Sequence, residues 1–149
     1  MKLKRTTGML RVSGQDRARR SGAPVTTRIR RKYVELALTT RTMGDVAVVQ
    51  CGGKLVFQSE ASALCEVVTK LVGKYRSIIV DMNDIASIDG GGIGILADCI
   101  RNAKDAGTRL VLCRVPDKVR RLLDLTRVSS LVDIASSERD ALERSRAAA

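Results

Sequence analysis

The sequence predicts an α/β fold: a small mixed β-sheet of four to five strands with about four helices packed on it. Three observations carry this. Short β-rich apolar runs (46–51, 77–81 and 109–113) alternate with stretches of helical period. The first strand candidates are separated only by a turn, whereas the later ones are separated by helices, so antiparallel and parallel pairing mix. The hydrophobic fraction of 44% in 149 residues is enough for one core, and with 2% aromatics that core is aliphatic.

Each element has its own signal. Residues 1–31 are basic, poor in apolar residues and without periodicity, so they read as a disordered tail ahead of a domain at 32–146. Tyr33–Leu38 reads as an edge strand, Gly44-Asp45 as a turn, and Val46–Cys51 as a strand interrupted by Gly52-Gly53. A helix is expected from about Ser59 to Lys74, because Leu64, Val67, Val68, Leu71 and Val72 form one stripe. Ser77–Asp81 is a continuous apolar run suited to a central strand. The next helix spans about Gly90 to Ala106, with Ile93, Leu96, Ala97, Ile100 and Ala103 inward and Gly107 as its stop. Arg109–Cys113 is another buried strand, and Pro116 opens a short helix with Val119, Leu122 and Leu123 inward. Leu131–Ile134 is a last strand, and Ser137 with Asp140 caps a helix to about Arg146.

Charge and cysteine usage narrow the function classes. The net charge of +11 is concentrated in the tail: residues 1–32 hold eleven Lys or Arg against one acid, Asp16, whereas the other residues hold sixteen against fifteen. The four cysteines, Cys51, Cys65, Cys99 and Cys113, show no C-x-x-C pair, and histidine is absent. Buried, reduced thiols of a cytoplasmic protein are the simplest reading, with no metal site and no cofactor. Without histidine there is no Ser-His or Cys-His pair, so no catalytic residue is assigned and the chain reads as a non-enzyme. No apolar run reaches membrane-spanning length, and the basic start lacks the apolar stretch of a secretory signal.

Asp89-Gly90-Gly91-Gly92 is the feature that asks for an explanation. Asp89 falls at the N-cap of the second helix, where its carboxylate accepts from the free N–H of Gly91 or Gly92. Each glycine inside a helix costs about 1 kcal/mol against alanine. Three in succession therefore imply either a close approach or a tight strand-to-helix connection. Gly92-Ile93-Gly94-Ile95-Leu96-Ala97 matches G-x-G-x-x-A by letter. It does not directly follow its strand, and the next strand ends in Cys113-Arg114 without an acid, which argues against a dinucleotide site. Asp81, Asp84 and Asp89 read as turn and cap residues more readily than as a metal or acid–base set.

Ile78-Ile79-Val80-Asp81, Ile85, and Ile88-Asp89-Gly90-Gly91-Gly92-Ile93-Gly94-Ile95-Leu96 resemble the signature of STAS domains, the anti-sigma factor antagonists and their relatives. The similarity extends through Gly107–Val111 and Val119–Leu125, with Gly53-Lys54-Leu55 and Ala63-Leu64 upstream. It covers about Tyr33 to Glu143. The resemblance implies a partner-switching role in bacterial transcription. An unphosphorylated antagonist binds an anti-sigma factor, a serine kinase of histidine-kinase-like fold, and is released once phosphorylated. It also implies a partner surface at Asp89, Gly90, Gly91, Gly92 and Ile93. The family's acceptor position is Gly91 here and the preceding position is Gly90, so neither carries a hydroxyl. Val56 departs as well, at a position where many members carry Asp or Thr. Ser87, two residues before Asp89, reads as strand-end packing. The alternatives are a STAS-like subunit of a lipid-transport or signalling complex, and nucleic-acid binding through the basic tail, for which no aromatic stacking residues are interleaved.

Overall fold

The computed structural model describes residues 25–30, 35–56 and 61–147. Six strands form one sheet: β1 (Val25–Arg30), β2 (Glu35–Met43), β3 (Val46–Leu55), β4 (Ser77–Ile88), β5 (Arg109–Cys113) and β6 (Asp133–Ala135). They lie in sequence order, with β1, β2 and β3 antiparallel and β3 through β6 parallel. Four α-helices accompany them among the described residues: α1 (Ala61–Leu71), α2 (Gly90–Asp105), α3 (Asp117–Leu125) and α4 (Glu138–Ala147). The expected mixed α/β sheet with helices packed on it is the observed architecture, extended by one strand.

Strand alternation divides the apolar residues between two faces. Val49, Cys51, Ile78, Val80, Met82, Leu110 and Leu112 share the larger face. There they meet Leu64 and Val68 of α1, Ile93, Leu96 and Ile100 of α2, and Val119 and Leu123 of α3. Val46, Val48, Ile79, Val111, Cys113 and Ala135 share the smaller face, covered by Ala141 and Leu142 of α4. Fully burying one aliphatic side chain stabilises by about 1.5–3 kcal/mol. Leu64, Ile78, Leu96, Leu112 and Leu123 are all 0% exposed and on the larger face, so that face carries most of the apolar gain.

The sheet differs from the sequence expectation at three places. Residues 25–30, read as part of a disordered tail ending at 31, instead form β1, paired along β2 from Val25↔Thr40 to Arg30↔Glu35. The alternation that a lone strand needs is weak there, and the backbone ladder of β2 supplies what composition does not. The strand near Tyr33–Leu38 is therefore not an edge: β2 lies between β1 and β3. β4 does not end at Asp81 but runs to Ile88, because irregularities in β3 between Gln50 and Gly52 and between Gly53 and Lys54 keep the ladder going to Leu55↔Ile88. β5 pairs only with Ser77 to Asp81, so Asn83, Asp84, Ala86 and Ser87 are exposed and read as a loop in sequence. α1 stops at Leu71, earlier than the expected Lys74, and residues 57–60, which include the expected start, lie outside the described set.

Candidate functional site

The carboxyl end of β4 delivers the chain to α2 through Asp89 alone. Asp89 has extended backbone (φ −124°, ψ −175°), and its Oδ1 accepts a hydrogen bond from Gly92 N at 2.9 Å. Its carbonyl accepts from Ile93 N at 2.9 Å. This is the N-cap expected from the sequence, and the carboxylate also faces the positive end of the helix. At the other end Gly107 takes a left-handed conformation (φ +76°) and its N–H donates to Lys104 O at 3.0 Å, the stop expected there.

The glycines divide by what surrounds them. A Cβ on Gly92 would lie 1.9 Å from the Leu55 carbonyl oxygen and 3.0 Å from Ile88 Cγ1, so only glycine lets α2 start against the end of β3. Gly90 and Gly94 are open: a Cβ on either meets nothing within 4 Å. Of the five residues assigned to a partner surface, Asp89 and Gly90 are exposed and Gly91 is half-buried. Gly92 and Ile93 are buried, Ile93 within the larger core. Reading the motif as one contiguous patch missed the helical period. The outward face continues through exposed Gly94 and, a further turn on, exposed Asp98, the i+3 and i+7 positions from Gly91, while Ile95 is half-buried and packs partly against the larger core.

Asp81, Asp84 and Asp89 do not converge on one job. Asp81 is 1% exposed and forms a two-pronged ion pair with Arg114, whose Nε donates at 3.2 Å, while Asn83 N donates at 3.0 Å. Arg114 adopts a left-handed backbone (φ +52°), a costly conformation for a side-chain-bearing residue, and the Asp81 hydrogen bond raises its already high pKa. Asp84 is exposed and accepts from Asn83 Nδ2 at 3.2 Å and Gln50 Nε2 at 3.5 Å. Among the described residues no three His, Cys, Asp or Glu side chains are grouped so that they could hold a metal ion.

The cysteines are free thiols: Cys51, Cys99 and Cys113 are buried and Cys65 is half-buried. Burial, reinforced by Asp81, pushes the Cys51 and Cys113 thiols up to about 12. Burial and then the neighbouring Cys65 raise Cys99 further. Cys51, Cys99 and Cys113 are poor nucleophiles as placed. Ser87 is exposed at the end of β4, opposite Lys54 of β3. No helix among the described residues is long and apolar enough to cross a membrane.

Comparison with known proteins gives a family and a fold. A family model described as STAS domain matches residues 37–141. A relative in Thermotoga maritima, named as a candidate anti-sigma factor antagonist, is 28% identical over 72 residues, which is 48% of this chain and 64% of the relative. The match thus spans less than two thirds of that protein's length. The anti-sigma factor antagonist SpoIIAA in its unphosphorylated form superposes with a TM-score of 0.62 at 16% identity, over 74% of this chain and 96% of SpoIIAA. The murine Slc26a9 anion transporter contains a similar region, with a TM-score of 0.59 at 19% identity over 69% of this chain but 18% of the transporter. At such identities the two structures speak for the fold alone.

Proposed function

The chain belongs to the STAS domain family, and from that premise we propose that it is a non-catalytic interaction module of the anti-sigma factor antagonist type. The observation that carries this is the Asp89-capped start of α2, exposed at Asp89 and Gly90 and kept in place by Gly92 against β3. The partner surface comprises Asp89, Gly90 and Gly91, continued by Gly94 and Ile95. Its partner is an anti-sigma factor, a serine kinase of histidine-kinase-like fold, and binding it frees a sigma factor for transcription in the bacterial cytoplasm.

Gly91 and Gly90 carry no hydroxyl, so the phosphoserine that ends such complexes cannot form at this position. A phosphate there would add about two negative charges at the contact, beside the Asp89 carboxylate. Without it the complex persists, or another signal dissolves it. The test is a pull-down from the source bacterium with the wild type and with Gly91→Ser, followed by a phosphorylation assay on each. The expected result is capture of a kinase-type anti-sigma factor by both, with phosphate incorporated only into Gly91→Ser. Capture of no such kinase by either variant counts against the reading.

A second reading, a STAS subunit of a transport complex, is favoured by the similar region within an anion transporter. Genes for transporter components beside this one would support it, and genes for a kinase or sigma factor would support the first.

A further inference from the structure

Two of the four thiols meet at the seam between α1 and α2. Cys65 lies in the second turn of α1 and Cys99 in α2, and the two helices pack against each other. The Cys99 thiol lies against that of Cys65, near enough to hydrogen-bond to it. Asn102 follows Cys99 by three residues and so shares its side of α2. Its Nδ2 donates to Cys65 Sγ at 3.7 Å, which holds that sulfur at the seam. Sulfurs brought together from two separate elements are the first requirement of a disulfide.

The thiols are graded in access. Cys65 is half-buried, Cys99 is 1% exposed, and Cys51 beyond it is 0% exposed. Cys113 belongs to the other face of the sheet. Solvent therefore reaches Cys65 first, and the thiol that Cys65 touches is Cys99. Burial keeps Cys99 protonated near neutrality, so it is suited to react second.

We propose that Cys65 and Cys99 form an oxidation site, which a hydroperoxide converts to a disulfide joining α1 to α2. The Cys65 sulfur attacks a peroxide oxygen and the O–O bond breaks. This gives the Cys65 sulfenic acid and releases water, or an alcohol from an alkyl hydroperoxide. The Cys99 sulfur then attacks the Cys65 sulfur, and the S–O bond breaks. The hydroxyl leaves with the Cys99 proton as a second water. One hydroperoxide is reduced by two electrons as two thiols become one disulfide, and a dithiol reductant restores them. Neither cysteine belongs to the proposed partner surface, so the site stands apart from that reading.

The experiment treats the reduced full chain with hydrogen peroxide under native conditions, alkylates the remaining thiols, and maps tryptic peptides by mass spectrometry. Each cysteine falls in its own tryptic peptide: 42–54, 55–70, 77–101 and 110–114. Peptide 55–70 is expected to be joined to 77–101, on the order of tenfold above any other pair, and to be released by dithiothreitol. Unlinked Cys51 and Cys113 report that the fold stayed closed. Cys65→Ser is expected to abolish the link and leave Cys99 a thiol. Cys99→Ser is expected to stop at the Cys65 sulfenic acid, captured by dimedone. Absence of the 55–70 to 77–101 link in the wild type would overturn the proposal. So would an equal yield of Cys51–Cys99, or two chains joined through Cys65 in its place. Oxidation of Cys99 at the wild-type rate in Cys65→Ser would overturn the order of attack.

Discussion

The two faces of the sheet are held by different physics. On the larger face three helices lie on aliphatic side chains, and no charge is buried among them in the described residues. On the smaller face one helix, α4, covers a few small and β-branched residues, and charges complete the layer: Asp81 with Arg114, Arg41 with Glu138, and Arg109 with Asp133. Apolar area is additive and forgiving, so the larger face loses stability in steps. A buried carboxylate is not forgiving, because its cost in a low-dielectric site is offset only while its partner is present. The partly exposed pairs on the same face, Arg41–Glu138 and Arg109–Asp133, are worth about 0–1 kcal/mol each. One pair, Asp81–Arg114, therefore sets the character of that face.

Four measurements can break or sharpen this contrast, and the largest effect belongs to the smaller face. Arg114→Ala leaves the Asp81 carboxylate buried with the Asn83 amide as its remaining described donor, and is expected to cost about 3–5 kcal/mol in urea unfolding. A loss below about 1 kcal/mol would erase the distinction between the faces.

Leu96→Ala, in the centre of the larger face and 0% exposed, is expected to cost about 2–5 kcal/mol by the same assay, with no pH dependence near neutrality. Gly92→Ala tests the seam where α2 meets β3. Its methyl has no room beside Leu55, and moving the helix start costs about 1–3 kcal/mol, while Gly90→Ala, in open space, is expected not to destabilise. The smallest effect is alkaline. Cys51 is buried as a thiol with its pKa raised from 9.0 to about 12, so the stability it contributes is complete below its unfolded value and is lost as pH rises toward its folded one. Between about pH 9 and 10 the share of Cys51 in that loss is expected to be about 1 kcal/mol, and Cys51→Ala should make the limb shallower, leaving the shares of Cys99 and Cys113.

Local features were legible in the sequence and pairings were not. The Asp89 cap, the Gly107 stop, the Ser137 cap and the inward stripe of α2 all follow from residues within one or two helical turns of each other, and each is present. β1 needed the ladder of β2, and the second half of β4 needed an irregular β3, so Val25–Arg30 and Asn83–Ser87 looked like coil. Asp81 looked like a turn residue because its partner is 33 positions away. A signal was present in retrospect: Asp81 closes one apolar run and Arg114 directly follows the end of the next, and parallel pairing of Asp81 with Cys113 brings them side by side. The glycine motif was read as one surface because its letters are contiguous, whereas a helix turns Gly92 and Ile93 inward and brings Gly94 out.

The seating of Gly92 on the Leu55 carbonyl has a kinetic side. A helix start jammed against a strand end has no second position nearby, so a partner docking on Asp89 and Gly90, as proposed above, would meet a surface already shaped for it. Encounter would then wait on orientation alone, at roughly 10⁵–10⁷ M⁻¹s⁻¹ without charge steering, with little backbone movement expected on binding. Partners of different strength would be told apart by how long they stay.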